Sequence, residues 1–411
     1  MVDCCSTPGL MPFEQALEKM LAGITPITEV ESITLTESLG RVLSTDITSP
    51  INVPPHNNSA MDGYAFAHAS LANHSSLILV GRSMAGQPYE GTCGKGECIR
   101  IMTGAKIPAD CDTVEMQENC QVAGDSVKFV VPRELGDHVR YAGEDINKSQ
   151  VVFSKGRRLS AIDIGVLASL GIQELTVFRK LNVALIATGD ELKALGEPLG
   201  SGDIFESNSY ALAGMLENLN VNVINFGVIV DDEAAIREAF IQADALADAV
   251  ISSGGVSVGD ADYTKLVLEQ IGEIAFWKIA MKPGKPFAFG KLPNSVFFGL
   301  PGNPVSAMVT ADLLAIPALI KLQNCLAVPS IKLKAKTLTD LRKSPGRMDF
   351  QRGVISYNNN GELVVNSTGS QGSGILTSIA LANCYIVLPA EQGRVQAGEI
   401  VNIRLFERYF A

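Results

Sequence analysis

Between residues 181 and 326, apolar runs of two different periods alternate, and that alternation confines this part of the chain to one kind of fold. LNVALIA (181–187) is a continuous apolar run of strand length. SYALAGMLENL (209–219) places Leu212, Met215, Leu216 and Leu219 on one helical face. VNVINFGVIV reads as a strand, EAAIREAFIQA as a helix and ADAVISS as a strand again. Such repetition hides both faces of a sheet when helices cover each side, so a doubly wound, mostly parallel α/β domain is expected. It continues through a helix in YTKLVLEQI, a strand pair around FWKIA and SVFFGL, and a helix after PGNP.

The flanks have other patterns. PFEQALEKMLAGI carries Phe13, Ala16, Leu17, Met20, Leu21 and Ile24 at helical spacing, with Pro12 expected at the first helical position. SAIDIGVLASLG has a capping box in Ser160 and Asp163 and a stop in Gly171. Between them, SLILVGRS, GECIRIMTG, DTVEMQE and SVKFVVPRE are short β-like runs separated by turns. We therefore expect four regions. Residues 51–140 form an inserted β-rich domain, and 1–50 with 141–178 form one discontinuous domain around it. Residues 179–328 form the α/β domain, and 329–411 a small β-barrel or sandwich, since IKLKAKTL alternates and YNNNGELVV signals a hairpin.

Charge and cysteine usage narrow the function. A formal net charge of −11 gives no general footprint for nucleic acid. Eight cysteines without a CxxC, beside four histidines, argue against zinc and for free thiols in a reducing cytoplasm, with Cys4 and Cys5 in a frayed tail. The first residues have neither a basic region nor a long apolar run, so no signal peptide is expected. AMVTADLLAIPALI is interrupted by Asp312 and Pro317 and reads as a core helix, not a membrane span.

In an open parallel sheet, ligands bind beyond the carboxyl ends of the strands. TGDEL (188–192), VDD (230–232), SSGGVSVGDAD (252–262) and GLPGNPVS (299–306) all fall there, and FESN (205–208) precedes a helix on the same side. The glycine loop has neither P-loop nor dinucleotide spacing. Gly254 and Gly255 can bring backbone N–H groups to a phosphate, with Ser252, Ser253 and Ser257 adding hydroxyls, or they can simply pack a tight turn. Asp232 and Asp262 each precede a helical run and suit N-caps. Yet Glu191, Asp231, Asp260 and Asp262 would share one rim, where carboxylates repel unless a cation sits among them. Oxygen ligands favour Mg²⁺, which bridges carboxylates to substrate phosphates. Lys278, Lys282 and Lys285 around Pro283 and Pro286 are either solvated lysines or an oxyanion site. No nucleophile elbow or cysteine–histidine motif is present, so chemistry would rest on metal, phosphate positioning and charge.

These motifs, in order with NNSAMDGYA (57–65), RIMTGAKIP (100–108), GEDI (143–146), SPGRMDFQRG (344–353) and QGSG (371–374), resemble the molybdopterin molybdenumtransferases, a family that includes the C-terminal part of gephyrin. The resemblance spans nearly the whole chain. It implies that molybdate and adenylylated molybdopterin are the substrates, that molybdenum enters the pterin dithiolene, and that AMP is released with Mg²⁺. It also implies an elongated discontinuous domain, a C-terminal β-barrel, and a homodimer in which the inserted domain of one subunit meets the α/β cleft of the other. By motif, Asp62, Thr103, Glu191, Asp231 and Asp262 are implied as catalytic, with Glu191, Asp231 and Asp262 also as metal ligands. Asp145, Ser252, Gly254, Gly255, Lys278, Lys282, Pro301, Pro304, Arg352 and Ser373 are implied in substrate binding. Transient contact with other cofactor-biosynthesis or acceptor proteins, and none with nucleic acid or membrane, completes the expectation. Three positions depart from the family pattern: Tyr141 replaces a second arginine, Glu206 replaces Asp, and Glu115 replaces an apolar residue and is expected at the surface. Two other activities remain open, an adenylyltransferase that makes the adenylylated pterin from ATP, and a non-catalytic pterin carrier or scaffold.

Overall fold

The computed structural model describes residues 10–255, 263–328 and 331–406. The chain splits into two compact units, one of Met1–Glu31, Gly40–Val42 and Val177–Ala411, the other of Ser32–Leu39 and Leu43–Thr176.

The first unit is built on a seven-stranded sheet. Its strands are β1 (Leu10–Met11), β2 (Asn182–Thr188), β3 (Asn222–Ile229), β4 (Ala249–Ser253), β5 (Glu273–Ile279), β6 (Pro286–Lys291) and β7 (Val296–Leu300), in the order β1-β5-β6-β7-β4-β2-β3. β3, β2, β4 and β7 run parallel, while β6 is antiparallel to both β7 and β5. FWKIA and SVFFGL are therefore not partners, because β6 lies between them.

Alternation along β2 explains the two layers. Val183 and Leu185 enter one core with α1 (Phe13–Ala22), α2 (Asn208–Asn218) and the helix α5 (Pro304–Leu322). Ala184 and Ile186 enter the other, against α3 (Glu233–Leu246) and α4 (Tyr263–Ile271). Each fully buried Leu, Ile or Phe there contributes about 1.5–3 kcal/mol. Pro12 sits at the N-cap of α1, one position earlier than expected. Asp232 caps α3, accepting a hydrogen bond from Ala235 N at 2.9 Å.

α5 is 19 residues long with a mean hydropathy of 1.7, and 83% of its most apolar window is buried inside the molecule, which marks a core helix. A π-helical stretch, Ala311–Ala315, precedes Pro317, whose ring nitrogen has no hydrogen to continue an α-helical ladder. Asp312 lies in that stretch, and its carboxylate acts on the Tyr385 phenol. Burial, together with that carboxylate, holds the Tyr385 phenol well above its usual pKa, so it remains a donor.

Tyr385 belongs to a closed five-stranded barrel of β8 (Lys332–Thr337), β9 (Met348–Tyr357), β10 (Leu363–Ser367), β11 (Cys384–Leu388) and β12 (Ile400–Leu405). The order β9-β10-β8-β12-β11 closes through β11–β9 pairing, which resolves the barrel-or-sandwich alternative. Phe350 on its outer face packs edge-on against Phe13, with ring centroids 5.2 Å apart.

The second unit carries a six-stranded sheet in the order Thr113–Met116, Gly63–Phe66, Glu97–Ile101, Leu77–Ser83, Ser126–Phe129 and Cys120–Ala123. Gly63 is obligatory there, because a Cβ would lie 1.7 Å from the Glu115 carbonyl oxygen. The expected Ser160–Asp163 capping box starts the helix Ala161–Ser169, and Arg157 grips Asp163 through two nitrogens at 2.8 and 3.1 Å. Glu115 is not at the surface. It is fully buried, paired with Arg133, and accepts a hydrogen bond from Asn119 at 3.0 Å. The charge is tolerated because its partners are built in with it.

Residues up to Glu31 belong to the first unit because β1 extends its sheet and α1 fills its core, whereas 141–176 belong to the second.

Candidate active site

Parallel pairing brings Thr188 beside Ile229, Ala187 beside Ser253, and Ser253 beside Leu300. The segments following these strands therefore emerge on one edge, where ligands of open parallel sheets bind. At Gly254 the backbone has φ +93° and an added Cβ would lie 2.6 Å from the Thr188 carbonyl oxygen. At Gly255 φ is +65° and a Cβ would lie 2.3 Å from Thr264 Oγ1. Both glycines thus have packing reasons to be there, whatever they bind.

Asn208, the first residue of α2, ties the loops together. Its Nδ2 donates to Ser253 Oγ at 2.6 Å and to the Gly302 carbonyl at 2.8 Å. Glu206 is buried, and its Oε1 accepts from Ser209 N at 2.8 Å, so the longer carboxylate finds use as a helix cap. Thr188 Oγ1, Ser252 Oγ and Asn208 Oδ1 are buried at this edge without a hydrogen-bond partner among the described residues. Native interiors rarely leave three such atoms together.

The acids form the outer rim. Asp190 Oδ1 accepts from Asp231 N at 3.1 Å. Desolvation, then the charges of Asp190 and Glu191, raise the Asp231 pKa above the ordinary carboxylate value. Three carboxylates therefore feel one another here. Among the described residues no group of three or more acids, histidines or cysteines converges closely enough to hold a metal by itself. Asp260, Asp262 and Ser257 lie outside the described residues.

The lysines lie towards the other end of the strand order, on and after β5. Lys278 ends β5 next to β6, and Lys282 follows in the short strand Met281–Lys282, which pairs with β9 at Met348–Asp349. Lys282 Nζ lies 3.7 Å from Asp349 Oδ2. Pro301 is buried and Pro304 begins α5. Ser373 presents its carbonyl to Val305 N at 3.0 Å, fastening the barrel's QGSG loop to the start of that helix. Arg352 is fully buried on β9. Its Nη2 donates to the Gly372 carbonyl and its Nε to Ser378 Oγ, both at 3.1 Å, while Nη1 has no partner among the described residues. Arg352 thus shapes the loop that carries Ser373 and keeps one donor in reserve.

In the second unit, Asp62 Oδ1 accepts from both the hydroxyl and the backbone N–H of Thr103, each at 2.7 Å. These two bonds, side-chain first, pull the Asp62 carboxyl below its ordinary value. Asp145 is exposed, its N–H bonded to the Val53 carbonyl. Tyr141 is half exposed. We expect Thr103→Val to raise the Asp62 pKa towards the unperturbed carboxylate, read by NMR titration; an unchanged value would remove the pairing. Because the folded pKa is depressed, the stability this pair contributes is present above the unfolded pKa and lost as pH falls through the folded one.

Sequence reasoning passed over Asp190, Thr188 and Asn208. Each lay inside a quoted motif, but only the three-dimensional edge shows which members of TGDEL and FESN turn inward.

Fold and site together define a multidomain protein whose α/β sheet carries buried hydroxyl and amide groups and an acidic rim at its carboxyl edge, with Lys278 and Lys282 on and after β5. Residues 184–321 match the "Probable molybdopterin binding domain", residues 11–171 the MoeA N-terminal region (domain I and II), and residues 334–406 the MoeA C-terminal region (domain IV). The chain is 44% identical over 399 residues to a molybdopterin molybdenumtransferase of Haemophilus influenzae, covering 97% of this chain and 99% of that protein. Dictyostelium discoideum gephyrin is 32% identical over 96% of this chain and 62% of its own length. Crystal structures of a molybdopterin biosynthesis MoeA protein from Pyrococcus horikoshii superpose with TM-scores of 0.79 and 0.83, at 31% and 30% identity, over 97% of this chain and 99% or 100% of theirs. The chain belongs to the molybdopterin molybdenumtransferase family, enzymes of molybdenum cofactor biosynthesis.

Proposed function

We propose that this enzyme inserts molybdenum from molybdate into the dithiolene of adenylylated molybdopterin and releases AMP, working as a homodimer in the cytoplasm. The observation that supports this best is the trio Thr188 Oγ1, Ser252 Oγ and Asn208 Oδ1, buried at the carboxyl edge of the sheet without a hydrogen-bond partner among the described residues. In this reading Ser252, Gly254 and Gly255 face the pterin and its phosphates. Lys278, Lys282 and the spare Nη1 of Arg352 hold molybdate, a doubly charged oxyanion that an acidic protein would otherwise repel. Pro301 and Pro304 stiffen the turn beside it, and Ser373 closes the barrel side. The pterin's own sulfurs replace oxygens on molybdenum, so no protein thiol is needed; the six described cysteines are all free thiols, which suits the cytoplasm. Asp62, Thr103 and Asp145 serve the same reaction. Within the two compact units we propose four domains, at 1–50 with 141–178, 51–140, 179–328 and 329–411, with residues up to Glu31 packed on the third.

Glu191, Asp231 and Asp262 are the proposed Mg²⁺ ligands. Oxygen-only donors fit that ion, and desolvation, with the charges of Asp190 and Glu191, raises the Asp231 pKa as a crowded acidic rim would. Mg²⁺ would neutralise charge on the phosphate oxygens while the anhydride to AMP is cleaved. A raised folded pKa means that ionising Asp231 costs stability, a cost absent below its unfolded pKa and growing as pH rises through the folded one. Mg²⁺ at a hundred times its dissociation constant should therefore raise stability near pH 7 by about 2.7 kcal/mol and lower the Asp231 pKa. A flat thermal midpoint across the titration would remove the ion from this rim.

The deciding experiment supplies adenylylated molybdopterin, molybdate and Mg²⁺ and follows AMP. Molybdate-dependent AMP release is expected. Consumption of ATP with pyrophosphate release would make the protein an adenylyltransferase, and tight pterin binding without AMP release would make it a carrier.

A further inference from the structure

From the contacts of the turn at residues 282–285, we infer that Asp349 is a positioning residue that holds Lys282 ready for the oxyanion. This rests on the reading that Lys282 binds molybdate. Lys282 carries a flexible four-carbon stem and its side chain is 45% exposed, so by itself it would sample many rotamers. Asp349 is 4% exposed and lies directly opposite it across the parallel pairing of Met281–Lys282 with β9. Its Oδ2 is steadied by Gln351 Nε2 at 3.1 Å, and that amide is itself anchored on the Arg342 carbonyl at 2.9 Å.

The turn below is pinned as well. Gly284 has φ +98°, and a Cβ there would lie 2.4 Å from Thr310 Cγ2 on α5. Backbone and ammonium are thus restrained from two sides. At 3.7 Å the ammonium leans on the carboxylate beyond hydrogen-bond distance, so its N–H donors remain available to a ligand. The pair orients the charge without consuming it. Preorganisation of this kind appears in ligand affinity, because the ordering of one long side chain is completed before binding.

The test is a double-mutant cycle on molybdate-dependent AMP release, with Asp349→Asn, Lys282→Met and both together, each checked for folding by thermal melt. Asp349→Asn should raise the KM for molybdate roughly three- to tenfold, the ordering cost of one long side chain, with kcat within about twofold. Lys282→Met should raise KM further, and adding Asp349→Asn to it should change nothing more. If Asp349→Asn lowers KM or leaves it unchanged, or if the two effects add, Asp349 is not acting through Lys282 and the inference falls. If Lys282→Met itself leaves KM unchanged, the oxyanion reading of Lys282 fails instead. Should Asp349→Asn not fold, Gln351→Met takes its place in the cycle. It removes the amide from Oδ2 but keeps the charge pair, and its smaller rise in KM should likewise vanish in the Lys282→Met background.

Discussion

Glu191→Gln is expected to lower molybdate-dependent AMP release by about 10²-fold or more while the protein folds as before. The side chain is exposed on the rim after β2, and an exposed isosteric change typically moves stability by no more than about 0.5 kcal/mol. The functional loss would come from the charge alone, since Gln keeps the shape and loses the anion. Asp262→Asn should behave in the same way. The measurement is AMP release under saturating pterin and molybdate, alongside a urea titration. Full Mg²⁺-dependent turnover in both variants would dissolve the acidic rim as a working unit.

Gly254→Val is expected to act through structure and to have the larger thermodynamic effect. A side chain there must adopt φ near +93° and place its Cβ 2.6 Å from the Thr188 carbonyl oxygen, which is backbone and cannot swing away. Left-handed strain in a non-glycine residue costs about 1–3 kcal/mol and overpacking about 1–3 more, so roughly 2–6 kcal/mol of stability should be lost. The same clash separates β2 from β4 where the Thr188 and Ser252 hydroxyls lie without a partner among the described residues, so pterin binding should fall with stability. Denaturation midpoints and pterin affinity read both effects. A variant that melts and binds like the parent would show that the two loops are not in contact.

Much of the fold was legible along the chain. The period change between 181 and 326 announced a parallel sheet, and Ser160, Asp163 and Asp232 announced helix starts through hydrogen bonds that span three residues. Interactions of that range are written locally, so a local reading finds them. The misreadings were long-range. Glu115 appeared to be a surface acid because nothing near it in sequence names Arg133 as the partner that lets it be buried. FWKIA and SVFFGL appeared to pair because β6, between them, is short and rich in Pro, Gly and Phe.

The candidate site divides along the same line. The motifs TGDEL, SSGG, KPGKP and PGNP, their order, and the resemblance they carry were readable before any coordinates, because residue type and spacing suffice to suggest acids, amides and lysines around an anion. Tertiary structure decided which atoms face inward. It buried Thr188 Oγ1, Ser252 Oγ and Asn208 Oδ1, turned Glu206 into a helix cap, and hid Arg352 behind the loop it braces. It also placed Asp349 opposite Lys282 across strands 67 residues apart in register. The physical reason is that sequence specifies what each side chain can do with its neighbours in the chain, whereas desolvation and charge pairing depend on what packing brings within a few ångströms.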